Sequence, residues 1–203
     1  MLDLVVVLAL AVALLTAILA YVGVPTLLAQ RWGRVSLLVG AGVIPLFATA
    51  GSLGSGYRES SRTRFCLECH EMKPYGVSLF VDNPRAMPAV HYQSRLIDRD
   101  TSCYSCHADY AMFGDVKTKL NGLKHVWAHY AGDTEGPFEL YQPFPNSNCL
   151  HCHDDARSFL EARGHQAILA ELSAGTTSCL KCHGPAHDFD SVEAGRLWQA
   201  ERP

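Results

Sequence analysis

Eight cysteines fall in four pairs, and a histidine closes each pair: Cys66, Cys69 and His70; Cys103, Cys106 and His107; Cys149, Cys152 and His153; Cys179, Cys182 and His183. In a C-x-x-C-H run the two sulfurs form thioethers to the vinyl groups of one haem, and the adjacent imidazole reaches the iron. The four runs read CLECH, CYSCH, CLHCH and CLKCH, and no thiol is left over. Zinc ribbons and thioredoxin-type dithiols also use C-x-x-C, but neither asks for a histidine directly after every pair. A disulfide framework is weaker still, since such tight pairs close only trivial loops. The spacing therefore predicts four covalently held c-type haems, with His70, His107, His153 and His183 as proximal ligands.

Six histidines remain: His91, His125, His129, His151, His165 and His187. The second axial position of an iron takes an imidazole, thioether or amine brought back by the fold, so three or four of the six are expected as ligands. His125 and His129 are four apart and share a helical face. His151 stands between two attachment cysteines, which turns it away from its own iron, and it reads as structural or solvent-facing.

The elements that position these groups begin with an apolar anchor. Of 203 residues, the first quarter is almost purely apolar. Residues 2–28 carry one acid, Asp3, and one proline, Pro25; at about 1.5 Å per residue the run is long enough to cross a bilayer. It is too long, and its start too poor in basic residues, for a cleaved signal. A second apolar run at 35–53 is just long enough to cross, so residues 1–54 are expected to form a membrane anchor with two transmembrane helices. Covalent haem attachment in bacteria takes place outside the cytoplasm, which puts the rest of the chain on the periplasmic or outer face of the inner membrane. Arg31 and Arg34 then lie inside, in keeping with the positive-inside tendency.

Residues 55–203 form the haem-bearing domain, entered through a short linker at 54–61 rich in turn formers. The first motif must consequently sit close to the membrane. Helices are expected near 115–130 and 156–172, where apolar residues recur at helical spacing. The intervals between motifs are unequal, so this is a chain folded around cofactors and not a regular repeat. The fold class expected is a mostly α, irregular multihaem cytochrome c domain, cofactor-cored, with N-terminal transmembrane helices. A formal net charge of −3 gives no case for nucleic acid, which demands a basic face.

CLECHEMKPYGV at the first motif, VHYQSR followed by CYSCH at the second, NCLHCH at the third, and a histidine upstream of CLKCHGPAH at the fourth resemble the NapC/NirT family of membrane-anchored tetrahaem quinol dehydrogenases. That family also includes the small subunit of the cytochrome c nitrite reductase complex. The resemblance spans Phe65 to about Phe189. It implies distal ligation by His91 and His187, and by His165, where many members place a histidine. It also raises Met72 as a thioether ligand of haem 1 in place of His70; the alternative is that Met72 packs against the haem face. In family members a lysine in the segment that here carries Lys117 and Lys119 can bind haem 2, and an acid one or two turns later lies near haem 1 and the quinol. Here His125 takes about the acid's position, and histidine can accept a quinol proton. Met72, Lys119 and His125 are thus the quinol candidates, and Met72, Lys119, His125 and His129 compete for the remaining iron positions.

The resemblance implies a cytochrome that takes electrons from membrane menaquinol or ubiquinol and passes them through four haems to a periplasmic oxidoreductase or a larger membrane complex. Two alternatives are an electron-relay subunit of a respiratory or photosynthetic complex without its own quinol site, and a catalytic multihaem reductase. On the first reading the chain is a quinol dehydrogenase or electron-transfer subunit in respiration, not a terminal reductase.

Overall fold

A computed structural model describes residues 2–23, 29–132 and 143–199. The chain divides into two compact units, Met1–Ser60 and Ser61–Pro203.

In the first unit a helix runs over Leu2–Gly23, and a second runs without interruption over Arg31–Glu59. The end of the expected first span, residues 24–28, lies outside the described residues. Leu38–Val43 in the second helix widens into a π turn just before Pro45. Proline lacks the N–H that would continue the ladder and its ring presses on the preceding turn, so the helix opens there. The two helices meet through small residues: a Cβ added at Gly40 would stand 2.8 Å from Thr16 Cγ2. The Thr16 hydroxyl bonds back to Val12 O and Ala13 O of its own helix, which spares the interface an unsatisfied polar group. Only 6% of the most apolar window of the second helix is buried within the protein, so Leu38, Leu46, Phe47 and Leu53 face outward, as they do where lipid is the solvent.

The turn-rich stretch at 54–61 is helical up to Glu59, not a linker. Extending a helix that already exists adds one hydrogen bond per residue fixed, and this outweighs the cost of about 1 kcal/mol for each of Gly54 and Gly56. Ser55 and Ser60 bond their hydroxyls to the carbonyls of Ser52 and Tyr57.

The second unit is built of short helices around little polypeptide core. Its fully buried cluster is Val81, Ala86 and Ala89 with Val192 packed against it, and two of the three largest fully buried side chains are serines, Ser78 and Ser191. A domain of this length normally buries most of its apolar surface. Among the described residues there is no β-sheet; an isolated bridge, Val81 to Leu197, ties the C-terminal segment to the stretch after the first motif. The mostly helical, irregular class expected from the sequence is what the chain adopts.

The helix Gly114–Ala131 appears as expected. The expected helix at 156–172 is instead three short ones, Arg157–Leu160, Arg163–Gln166 and Leu169–Ala174. At the breaks, side chains take the carbonyls: His165 Nδ1 donates to Phe159 O and Gln166 Nε2 to Leu160 O. Periodicity over the whole stretch survives the breaks, which is why it read as one helix.

Gly114 shows how tightly the second motif is tied to the long helix. A Cβ there would lie 1.9 Å from Asp109 O, while Asp109 binds Ala111 N, Thr118 Oγ1 and Lys117 Nζ around it. Gly114→Ala is expected to destabilise by about 3 kcal/mol, because the backbone itself must move. A urea titration of the haem-loaded protein followed by circular dichroism measures it.

Candidate haem sites

The four attachment segments come in two couples. In the first, the helix Thr63–Cys66 packs on the helix Ser102–His107. The buried Thr63 hydroxyl lies 2.9 Å from Ser102 Oγ and accepts from Ser102 N. This brings Cys66 and Cys103 side by side, and in the haem-free chain a hydrogen bond between their thiols pushes Cys66 up and Cys103 down. In the second couple the buried Asn146 does the same work. Its Nδ2 donates to Leu172 O and Thr177 O, and its Oδ1 accepts from Cys179 N, setting Cys179 beside Cys149. Asn148 Nδ2 donates to Cys106 O and joins the two couples. Sequence reading passed over Thr63 and Asn146. A signal was present: each stands three residues before the first cysteine of its motif, and neither belongs to the motif.

The histidines follow a pattern of their own. Each motif histidine faces one histidine from elsewhere in the chain: His70 and His129 at 5.6 Å between ring centres, His107 and His187 at 6.4 Å, His153 and His91 at 6.1 Å, and His183 and His165 at 5.8 Å. Two imidazoles that bind one iron from opposite sides, each through a nitrogen at about 2 Å, have ring centres about 6 Å apart. Direct stacking is closer: Tyr110 lies on His151 at 3.8 Å with planes within 10°. His107 and His187 have nearly parallel planes and stand 6.4 Å apart, a wider spacing than that of Tyr110 on His151.

The non-motif member of each pair is fixed at Nδ1. His91 donates to Met87 O at 2.8 Å and His165 to Phe159 O at 3.0 Å. Ser78 gives its hydroxyl hydrogen to Tyr75 O, so its oxygen accepts from His187 Nδ1 at 2.7 Å. His129 Nδ1 donates to Glu71 Oε1 at 2.6 Å. A proton held on Nδ1 leaves the Nε2 lone pair for a metal, the usual arrangement around ligating histidines. Burial pushes His187 down to about 4, so it is neutral, the form that ligates.

The donor chemistry thus fits haem at the last three motifs, with two thioether-forming sulfurs, a motif imidazole and a facing imidazole with its tautomer set; at the first, the sulfurs and His70 fit, but Glu71 Oε1 lies 2.6 Å from His129 Nδ1 and 3.2 Å from His70 Nε2, so the facing ring does not stand across an iron from His70. Of the sequence candidates, His91, His165, His187 and His129 are brought opposite motif histidines. His151 is exposed and stacked, as its place between two cysteines implied. Lys119 lies beside the first motif, its Nζ on Ser61 Oγ at 2.7 Å and over the Tyr104 ring at 4.2 Å, and burial lowers its pKa. His125 is half-buried near His107, also with a lowered pKa from burial. Met72 is half-buried at the end of the turn His70–Met72.

A helical domain cored on covalently bound haem and carrying an apolar N-terminal anchor defines a membrane-anchored c-type cytochrome. The model of the NapC/NirT cytochrome c family, N-terminal region, matches residues 28–192, and the chain belongs to that family. It is 29% identical over 196 residues to the cytochrome c-type protein NapC of Haemophilus influenzae, covering 81% of this chain and 91% of that relative. NapC of Escherichia coli is 23% identical, with 81% of this chain and 92% of the relative covered. Cytochrome c-type protein TorC of Escherichia coli is 26% identical over 81% of this chain, but the match spans 45% of that longer protein. No solved structure matches the chain.

Proposed function

We propose that this cytochrome carries four haems, takes electrons from membrane quinol and delivers them to a periplasmic redox partner. The observation that carries this reading is the set of histidine pairs at the last three motifs, each setting a motif histidine opposite one distal imidazole. Haem held at these motifs would supply reversible one-electron chemistry. Cys66 and Cys69, Cys103 and Cys106, Cys149 and Cys152, and Cys179 and Cys182 tether the groups. His107 with His187, His153 with His91, and His183 with His165 would hold three of the irons, and His70 the iron of the first motif.

Haem held between two imidazoles, as the last three motifs would hold it, would suit electron transfer and would leave no open position for a small molecule, which argues against a catalytic reductase. With His187 opposite His107, Lys119 is released from the role of ligand. It remains beside the first motif as a proton-handling group for quinol, together with His125 further along the same helix, while Met72 offers a thioether at that motif. The sulfurs Cys66 and Cys103, and Cys149 and Cys179, bring successive motifs together, which favours stepwise passage along the chain. Two membrane helices, with the haem domain on the periplasmic face of a bacterial inner membrane, complete the proposal. Kinship with the NapC relatives, cytochrome c-type proteins by name, supports a redox role.

The reading predicts that the purified protein in detergent is reduced by a menaquinol or ubiquinol analogue within seconds, and that Lys119→Met slows that step at least tenfold while dithionite still reduces every haem. Stopped-flow absorbance follows both. A protein that dithionite reduces but no quinol analogue touches is a relay subunit of a larger complex, and the quinol reading fails.

A further inference from the structure

Val116, Leu120, Leu123, Trp127 and Tyr130 recur at alternating steps of four and three, so they fall on one stripe of the helix Gly114–Ala131, and each is between 52% and 81% exposed. Met112 and Phe113, also exposed, continue the apolar surface beyond the start of the helix. The other side of the helix packs on the haem domain: His129 donates to Glu71, the residue after the first motif, and Asp115 accepts from Tyr104 within the second. By helical spacing Lys117 and Lys124 run along one edge of the stripe and Lys119 along the other. With three lysines against one aspartate the helix is net basic, although the chain carries a formal net charge of −3. The helix is also tied to the point where the chain leaves the anchor. Lys119 Nζ donates to Ser61 Oγ at 2.7 Å, and Ser61 follows directly on the end of the apolar helix Arg31–Glu59 and Ser60. The second apolar run ends at Leu53, so the chain can carry Ser61 no more than about 16 Å beyond it. A helix bonded to Ser61 cannot rise far from the lipid.

We propose that the helix Gly114–Ala131 lies on the surface of the membrane that holds the N-terminal anchor, its stripe in the acyl boundary and its lysines against anionic phospholipid headgroups. An interfacial helix has this make-up: one apolar face, lysines along its edges whose stems lie over the apolar surface, and Trp and Tyr rings at headgroup level. A second copy is a poorer occupant, since the lysine edges of the two helices would meet and repel. Docked in this way, the haem domain is held at a second place besides the chain at Ser61 and cannot swing about it. Through His129 and Glu71 the first motif then keeps a set height over the lipid. The docking needs the anchor alone and holds whether or not quinol binds.

The test uses the full-length, haem-loaded protein in nanodiscs of phosphatidylglycerol and phosphatidylcholine, one chain per disc, with a trace of phospholipid that carries a diazirine near the top of its acyl chain. Photolysis followed by peptide mass spectrometry is expected to label Leu120, Leu123 and Trp127 at least about tenfold more than Leu160 and Leu197, which are exposed and apolar but lie on other segments. Leu120→Glu combined with Leu123→Glu is expected to remove that label, while label on the two membrane helices stays. Wild-type discs labelled in the membrane helices and nowhere on the stripe overturn the proposal. Label on Leu160 equal to that on Leu123 overturns it as well, since the contact is then unspecific. A stripe that stays unlabelled, while Leu123→Cys chains join through a disulfide in discs that hold two copies, is a dimer face, and the docking on lipid falls.

Discussion

Replacing His187 by alanine is expected to turn one of the four haems high-spin and to raise the potential of that haem far above its former value. His187 stands opposite His107 at 6.4 Å between ring centres, held by Ser78 and packed edge-on against Tyr75 at 5.1 Å. Its removal deletes a strong imidazole donor, and no other histidine is held in its place. A ferric iron with five ligands has a weaker field, and loss of the donor favours the ferrous state. The high-spin signal should account for about a quarter of the iron, as one site in four implies. The haem should stay attached, because Cys103 and Cys106 are untouched. His151→Ala is the matched control: His151 is exposed, stacks on Tyr110 and faces no motif histidine, so every haem should remain low-spin. Magnetic resonance of the ferric protein reads both variants. A fully low-spin spectrum in His187→Ala assigns the distal position of the second haem to another residue, with Lys119 and His125 next in line.

Asn146→Ala is expected to be the most destabilising polar substitution in the haem domain, at about 3 kcal/mol or more, since each buried group left unpaired costs about 1–3 kcal/mol. Asn146 is 6% exposed and uses both ends of its amide. Nδ2 serves Leu172 O and Thr177 O, and Oδ1 serves Cys179 N. Alanine strands all three partners at once, at the junction that holds the third and fourth motifs together. Asn146→Asp keeps the acceptor for Cys179 N but offers no donor to the two carbonyls, so it should fall between the wild type and alanine. Denaturant midpoints of the loaded proteins give the order. Haem content per chain, measured after alkaline pyridine treatment, should drop in Asn146→Ala through incomplete loading of the last two motifs. Stability equal to wild type in both variants contradicts the structural role assigned to this side chain.

The attachment chemistry was legible in the sequence because it is local. Two cysteines and a histidine within five residues meet one haem whatever the rest of the chain does, so the motifs at Cys66, Cys103, Cys149 and Cys179 needed no fold to be read. The apolar anchor was legible for a similar reason: a bilayer demands length and hydrophobicity, both of which are properties of a continuous stretch. The long helix Gly114–Ala131 also followed from its own periodicity. The linker at 54–61 was misread because turn-forming residues extend a helix readily once it is already formed.

Distal pairing, by contrast, is a matter of tertiary structure. Six histidines outside the motif positions compete for four places, and sequence separation says little about which one returns to which motif. His187 comes back to His107 across most of the domain, and His91 passes over the second motif to reach His153. His129, which the sequence ranked with Met72, Lys119 and His125 as a mere contender, faces His70 because Gly114 and Asp109 set the direction of its helix. The tautomers needed the fold as well, since Met87 O, Phe159 O, Ser78 Oγ and Glu71 Oε1 become acceptors only once the backbone has placed them. The residues alone pointed to covalently bound haem and to the cysteines that would tether it. Only the folded chain decided which imidazole faces each motif histidine, because that choice depends on contacts between segments far apart in sequence.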